Sequence, residues 1–313
     1  MTPPAIAAAA RAPGYALTPD GTTIALPLPQ IGPGDWRPAG LSARLRTTRP
    51  AIALSALFCG LLAIAALTPG LLTAIDPQAA DANLAFLPPD AQHWLGTDEN
   101  GRDVLARLIH GTGASLGLGI AAMAISLVLG TVIGIAGGLG GRAADATAMR
   151  FADVMAAIPN ILFALLVITL WGQSTTNVIV AIGLATMPRY ARLVRTTTRT
   201  IRAAPFVEAA TTLGLRRATV IWRHILPNAV KPALLLAVIG IGDKIAFAAA
   251  LSFLGFGSPP PAPEWGAMLA VGRNFVSVAP WLVAAPAVIV TLTVLAVSTI
   301  GREIIRRGEG KAV

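Results

Sequence analysis

The sequence contains one cysteine, three histidines and few charges, and each scarcity excludes a class of protein. Cys59 sits alone inside an apolar run, so neither an intramolecular disulfide nor a cysteine metal cluster can form. His93, His110 and His224 are too few and too scattered to build a permanent metal site. No Gly-x-x-x-x-Gly-Lys-Ser/Thr run occurs, so ATP is not bound by a phosphate cradle of that kind. Acid/base pairs, nucleophile elbows and redox motifs are also missing, and the chain is not expected to be an enzyme by itself. Only 12% of the 313 residues are charged. Against that, 55% are hydrophobic and the mean hydropathy is +0.69, too apolar for an ordinary soluble domain of this length. The bilayer is the expected solvent.

A membrane helix needs about 20 mostly apolar residues to cross roughly 30 Å of hydrocarbon with its backbone groups bonded internally. Six segments meet that test: Pro50–Ile75, Gly113–Gly138, Met149–Trp171, Thr175–Met187, Pro232–Gly257 and Val278–Ile300. The fourth is short and needs Arg189 and Arg192 to snorkel at its end. Pro159, inside the third, is tolerable in a membrane helix. The expected fold class is therefore all-α, a polytopic protein with about six transmembrane helices. Residues 1–49, rich in Ala, Pro and Gly and without the basic start and apolar core of a cleavable signal, read as a mostly disordered tail.

The net charge of +9 has a topological explanation. Arg44, Arg46 and Arg49 precede the first span, Arg142 and Arg150 lie between the second and third, and Arg302, Arg306, Arg307 and Lys311 follow the sixth. The connection between the fourth and fifth carries Arg189, Arg192, Arg195, Arg199, Arg202, Arg216, Arg217, Arg223 and Lys231 against one acid, Glu208. These basic regions fall on one face, which is expected to be cytoplasmic together with both termini. The connection between the first two spans instead holds Asp76, Asp81, Asp90, Asp98, Glu99 and Asp103 against Arg102 and Arg107, and is expected outside. Nucleic acid is not needed to account for the charge.

Within the basic connection, Phe206 to Pro227 predicts helix, turn, helix. Glu208 to Leu213 favour a short helix, Gly214 can take positive φ at its end, and a second helix can run to the Pro227 region. Ala209, Leu213, Leu215 and Ile221 give this loop an apolar side. Glu208-Ala209-Ala210, Gly214 and then Leu226-Pro227 resemble, in spacing and in topological place, the EAA loop of bacterial ABC importer permeases. His224 stands where many such loops have Ile, and Arg223 to Asn228 looks like the variant of the peptide and nickel branch. His93 to Ile109, ahead of the second span, is similar to the same stretch in C-type permeases of dipeptide and oligopeptide importers, as are Ala250 to Gly257 and Pro263 to Leu269. One departure stands out: Phe247 occupies the position, three before the Ala250 run, where that family usually has an acid, while Asp243 and Lys244 lie a helical turn earlier.

The resemblance implies a type I ABC importer permease: a first transmembrane helix over 50–75, an external segment over 76–112, a permease core over 113–302 with its coupling loop at 189–231, and a cytoplasmic tail over 303–313. It implies a non-catalytic subunit of the bacterial inner membrane, working with a second permease, two ATP-binding subunits that hold ATP and Mg, and an external solute-binding protein; this chain carries no cofactor. Glu208, Ala209, Ala210, Leu213, Gly214, Leu226 and Pro227 would couple to the ATPase. Trp94, Asp98, Arg102, Asp103 and Arg107 are candidates for contact with the external protein or the second permease. An ionisable residue about 15 Å into a span is costly, which makes Asp243 and Lys244 candidates for the translocation path. They could equally form a structural pair with the partner permease, and as neighbours about 100° apart on a helix they cannot pair with each other. Cargo stays open between peptides, nickel chelates and other small solutes. An ion-gradient transporter or channel would need no ATPase, and a membrane-embedded enzyme would need more polar groups than these two.

Overall fold

The computed structural model describes residues 15–17, 23–25, 49–257 and 261–308. The chain divides into two compact units, Met1–Arg46 and Thr47–Val313. In the first, β1 (Tyr15–Leu17) pairs antiparallel with β2 (Thr23–Ala25), Ala16 opposite Ile24. The rest of the tail expected over 1–49 lies outside the described residues up to residue 48, as do residues 309–313 of the C-terminal tail.

The second unit is helical. It comprises α1 (Arg49–Leu67), α2 (Val104–Leu139), α3 (Arg142–Ala157), α4 (Asn160–Trp171), α5 (Thr175–Arg202), α6 (Pro205–Thr212), α7 (Arg217–Val220), α8 (Leu226–Leu251), α9 (Trp265–Gly272) and α10 (Trp281–Gly308). Among the described residues, four helical stretches are long and apolar enough to cross a membrane: Pro50–Leu67, Val104–Leu139, Arg217–Phe256 and Trp281–Arg307. The α3–α4 pair would make a fifth, bent by 91°.

Several boundaries differ from the sequence reading, each for a local reason. The first span stops at Leu67 rather than Ile75 because Pro69 supplies no N–H and disfavours helix at the residue before it. The second begins at Val104 rather than Gly113, since the Asp103 carboxylate accepts the Ala106 N–H at 2.6 Å and caps α2. The expected third span, Met149–Trp171, is broken at Ile158 and Pro159, both extended. The fourth does not end at Met187: α5 runs on for 28 residues, about 42 Å at 1.5 Å per residue. The fifth does not begin at Pro232. A π turn over Ile221–Ile225 joins α7 to α8, and Asn228 Nδ2 donates to the His224 carbonyl at 2.7 Å beside Pro227, which has no N–H to give.

Helix α2 is the post against which the others pack. A Cβ built on Gly130 would lie 2.5 Å from Tyr190 Cβ; one on Gly134 would lie 2.7 Å from the Ala191 carbonyl oxygen, and one on Gly138 2.6 Å from Thr198 Cβ. These glycines recur every four residues and let the α2 and α5 backbones approach as small-residue ridges do in membranes. Helix α9 is pinned to the same post: Trp265, fully buried, donates from Nε1 to the Leu108 carbonyl and from its backbone N–H to Ser115 Oγ, both at 3.0 Å. Glu264, 1% exposed, caps α9 by accepting the N–H groups of Gly266 and Ala267 at 2.7 and 3.0 Å. Burial pushes its carboxyl above the usual range, and these two N–H groups pull it back.

Gly134→Leu should overpack the α2–α5 contact and cost about 1–3 kcal/mol or more. Gly117, whose Cβ would meet open space, is the control. The thermal midpoint of purified protein in detergent should fall for Gly134→Leu and hold for Gly117→Leu.

Candidate functional site

The connection from α5 to α8 contains the helix expected around Glu208. Pro205, at the first turn of α6, has no N–H to leave unsatisfied, and Val207 and Ala210 point inward against Val220, Ile225 and Ala229. Their spacing of three leaves Glu208, Ala209 and Leu213 facing out, with Leu213 81% exposed. Gly214 takes φ +78° with open space around it, so its requirement is conformational and not steric. The Thr211 and Thr212 hydroxyls donate to the Glu208 carbonyl at 2.8 and 3.0 Å, tightening the last turn. Phe206 and Trp222 are exposed as well, and Pro227 is exposed while Leu226 is half-buried. The result is a short, internally braced helix that projects apolar side chains from a basic surface. One flank of α6, from Val207 to Glu208 and Thr211, borders an open cavity of about 590 Å³ lined also by Leu139, Arg202, Leu215 and Ile225.

A second site lies where α5 crosses α8. Two consecutive residues of one helix meet two of the other: Arg189 Nη1 stands 3.9 Å from Asp243 Oδ2, and Lys244 Nζ lies 5.5 Å from the centre of the Tyr190 ring. Lys244 is 3% exposed and Tyr190 fully buried, its hydroxyl donating to Met123 Sδ at 3.4 Å. The Arg189 and Asp243 side chains are instead 62% and 53% exposed. They line an open cavity of about 790 Å³ together with Pro159, Asn160, Thr186, Arg192 and Phe247. One wall exists because α3 and α4 break at Pro159. Phe247 is four residues past Asp243 and so on the same face; the acid that the resemblance places at 247 is supplied one turn earlier on that face.

Arg189 was not legible as part of this site. Hydropathy puts it at the rim of a short span, whereas it stands within α5 at the level of Asp243. The guanidinium groups further along α5 have partners on another helix: Arg192 with Asp153 at 2.8 Å, and Arg195 and Arg199 both with Asp145, at 2.7 Å from Arg195 Nη2 and 3.0 Å from Arg199. Three cations of the basic connection, read with one acid, are thus paired by two acids from α3.

The segment between α1 and α2 is closed on itself. Asp98 Oδ1 accepts the Asn100 and Arg102 N–H groups at 2.8 and 2.9 Å, and Arg107 Nε lies 3.6 Å from Asp98 Oδ2. Arg107 also donates to the carbonyls of Pro77 and Pro261, at 3.3 and 3.4 Å. Asp103 caps α2 with one oxygen and meets His93 Nδ1 at 2.9 Å with the other. Asp98, Asp103 and Arg107 are buried and Arg102 half-buried, so of the residues singled out here only Trp94, 71% exposed, presents its side chain outward. The N–H groups of His93 and Gln92 hold the Asp90 carboxyl below its ordinary range. Among the described residues no three His, Cys, Asp or Glu side chains converge to hold a metal ion.

The family described as "Binding-protein-dependent transport system inner membrane component" matches residues 126–308. The chain is 36% identical over 266 residues to the dipeptide transport system permease protein DppC of Alkalihalophilus pseudofirmus, covering 85% of this chain and 86% of that one. It is 39% identical over 213 residues to the glutathione transport system permease protein GsiD of Pectobacterium atrosepticum, covering 68% and 71%. A chain of the MetNI methionine ABC transporter, in an inward-facing conformation, superposes with a TM-score of 0.53 at 18% identity, covering 64% of this chain and 95% of that one. That likeness establishes a shared fold.

Arg107→Ala should cost about 1.5–3 kcal/mol, because it removes the nearer of the two guanidiniums beside the buried Asp98, Arg102 standing at 4.0 Å, and frees the Pro77 and Pro261 carbonyls. Trp94→Ala, at an exposed position, should stay within about 0.5 kcal/mol. Unfolding midpoints in detergent compare the two directly.

Proposed function

Since the chain belongs to the family of binding-protein-dependent transport system inner membrane components, we propose that α6 is the element through which partner ATPases drive it. The protein is a multi-pass permease subunit of a peptide importer with the ABC importer permease fold. The chain works beside a second permease. Two ATP-binding subunits on the cytoplasmic side hold ATP and Mg, and an external solute-binding protein delivers the cargo. Both termini and the α5–α8 connection are cytoplasmic, and the segment between α1 and α2 faces outward. Dipeptides or short peptides are the cargo this reading favours, on the strength of the relatives' names.

The single observation that carries the coupling role is the exposed apolar tip of α6. A braced helix that turns Ala209 and Leu213 to water, with Glu208 beside them, needs a groove to cover it. The motion it would transmit is alternating access, in which rigid-body movement of helices opens the path to one face at a time. Asp243 and Lys244 belong to that path in this reading, through the cavity they line with Arg189.

Glu208→Lys combined with Gly214→Val tests the role. Valine at φ +78° costs roughly 1–2 kcal/mol, enough to shift the turn. In the reconstituted complex, uptake should fall at least tenfold while basal ATP hydrolysis persists; unchanged uptake would defeat the assignment. Orientation is checked in a Cys59→Ser background, where a cysteine at Leu213 should be labelled by an impermeant maleimide only from the cytoplasmic side and one at Trp94 only from outside. Uptake by the chain without its ATPases would point instead to a gradient-driven transporter.

A further inference from the structure

The cavity at the α5–α8 crossing has an unequal set of charges, and they are held with unequal firmness. Arg192 is occupied by Asp153 at 2.8 Å, and Lys244 is buried over the Tyr190 ring. Arg189 is different. Its one ion pair among the described residues is with Asp243, at 3.9 Å, well beyond the roughly 2.7–2.9 Å of a charge-assisted hydrogen bond, and both side chains are more than half exposed to the cavity. Such a pair contributes little to stability and is readily exchanged for a better partner.

Another part of the lining adds the same sign of potential. Helix α4 begins at this cavity, where Pro159, Asn160 and Ile161 line it, and its N-cap makes no side-chain hydrogen bond to the first turn. The leading N–H groups of a helix of 12 residues favour an anion at that end. At about 790 Å³ the space falls within the roughly 300–1,000 Å³ of small-molecule pockets.

Resting on the permease reading, we propose that this cavity holds a small zwitterion by its ends. The solute's carboxylate takes Arg189, with the start of α4 in support, and its ammonium group takes the Asp243 that Arg189 releases. In the empty cavity Asp243 keeps Arg189 positioned; the solute replaces one loose ion pair by two. Recognition of the termini alone leaves side chains unread, which suits a path whose cargo is chosen elsewhere.

The test uses the assembled complex with Cys59→Ser and Ala156→Cys in this subunit, the new cysteine lying on the cavity wall. The readout is protection from maleimide labelling by L-alanyl-L-alanine or by its C-terminal amide. The dipeptide should slow labelling at least tenfold more effectively than the amide. Arg189→Gln should abolish that preference, and Asp243→Asn should keep protection by the carboxylate while losing dependence on a free amino group, measured with N-acetyl-alanyl-alanine. Equal protection by acid and amide in the unmutated subunit, no protection by either, or a preference that survives Arg189→Gln would overturn the proposal. Should Arg189→Gln fail to assemble, the acid and amide comparison in the intact complex decides alone. Uptake is measured in parallel. ATP-driven uptake without the acid preference sinks only this site, whereas acid-selective protection without ATP-driven uptake sinks the transport reading and leaves the site standing.

Discussion

The rest of the helical unit depends on how closely α2 lets its neighbours approach. Gly130, Gly134 and Gly138 bring the α5 backbone into contact, and Gly119 does the same for α8, where an added Cβ would lie 2.4 Å from the Ile245 side chain. Without these approaches α5 and α8 could not both sit against one post, and Arg189 and Tyr190 would not face Asp243 and Lys244. In a bilayer, where lipid tails are as apolar as leucine, helices gain little by burying ordinary apolar surface against each other. Close backbone packing is what remains to fix their positions. The pairing of charges at the cavity is a consequence of that packing.

Features set by neighbouring residues were legible in the sequence. The short helix around Glu208 and the turn at Gly214 follow from helix-forming residues and one that tolerates positive φ, whereas the inward set, Val207 and Ala210, is visible only in the packing. The apolar stretches of α1, α2, α8 and α10 were legible because apolar residues occupy nearly all of their faces, buried or not. Helix α5 was cut short for the converse reason. It has one face against α2 and another that carries Arg189, Arg192, Arg195 and Arg199 toward a cavity and toward the acids of α3, and an average over its residues cancels the two. Amphipathic helices inside membrane proteins hide from hydropathy in this way.

The segment between α1 and α2 was hard to read for a related reason. Charge in an external connection reads as surface available to partners, yet Asp98, Asp103 and Arg107 are spent on backbone N–H groups, a helix cap and two carbonyls. A loop without regular helix or strand must satisfy its polar backbone by side chains. The residues that accomplish this look the same in a sequence as those that bind something else. Distance in the fold decides between them, and no spacing rule contains it.

The same packing ties α6 to the helices behind it. Helix α6 hangs between the end of α5 at Arg202 and the start of α7 at Arg217, and the helical path from α7 continues through the π turn into α8 as far as Phe256. Its inner residues Val207 and Ala210 share one cluster with Val220, Ile225 and Ala229 of that path, against Leu139 of α2 and Ile201 of α5. A displacement of α6 is therefore felt by both helices that carry the Arg189–Asp243 contact. Were that contact short and buried, it would resist such a shift; at 3.9 Å and half exposed, it yields. In the proposed coupling, cavity and α6 need no separate wire between them, because α5 and α8 are at once the walls of the one and the mounts of the other.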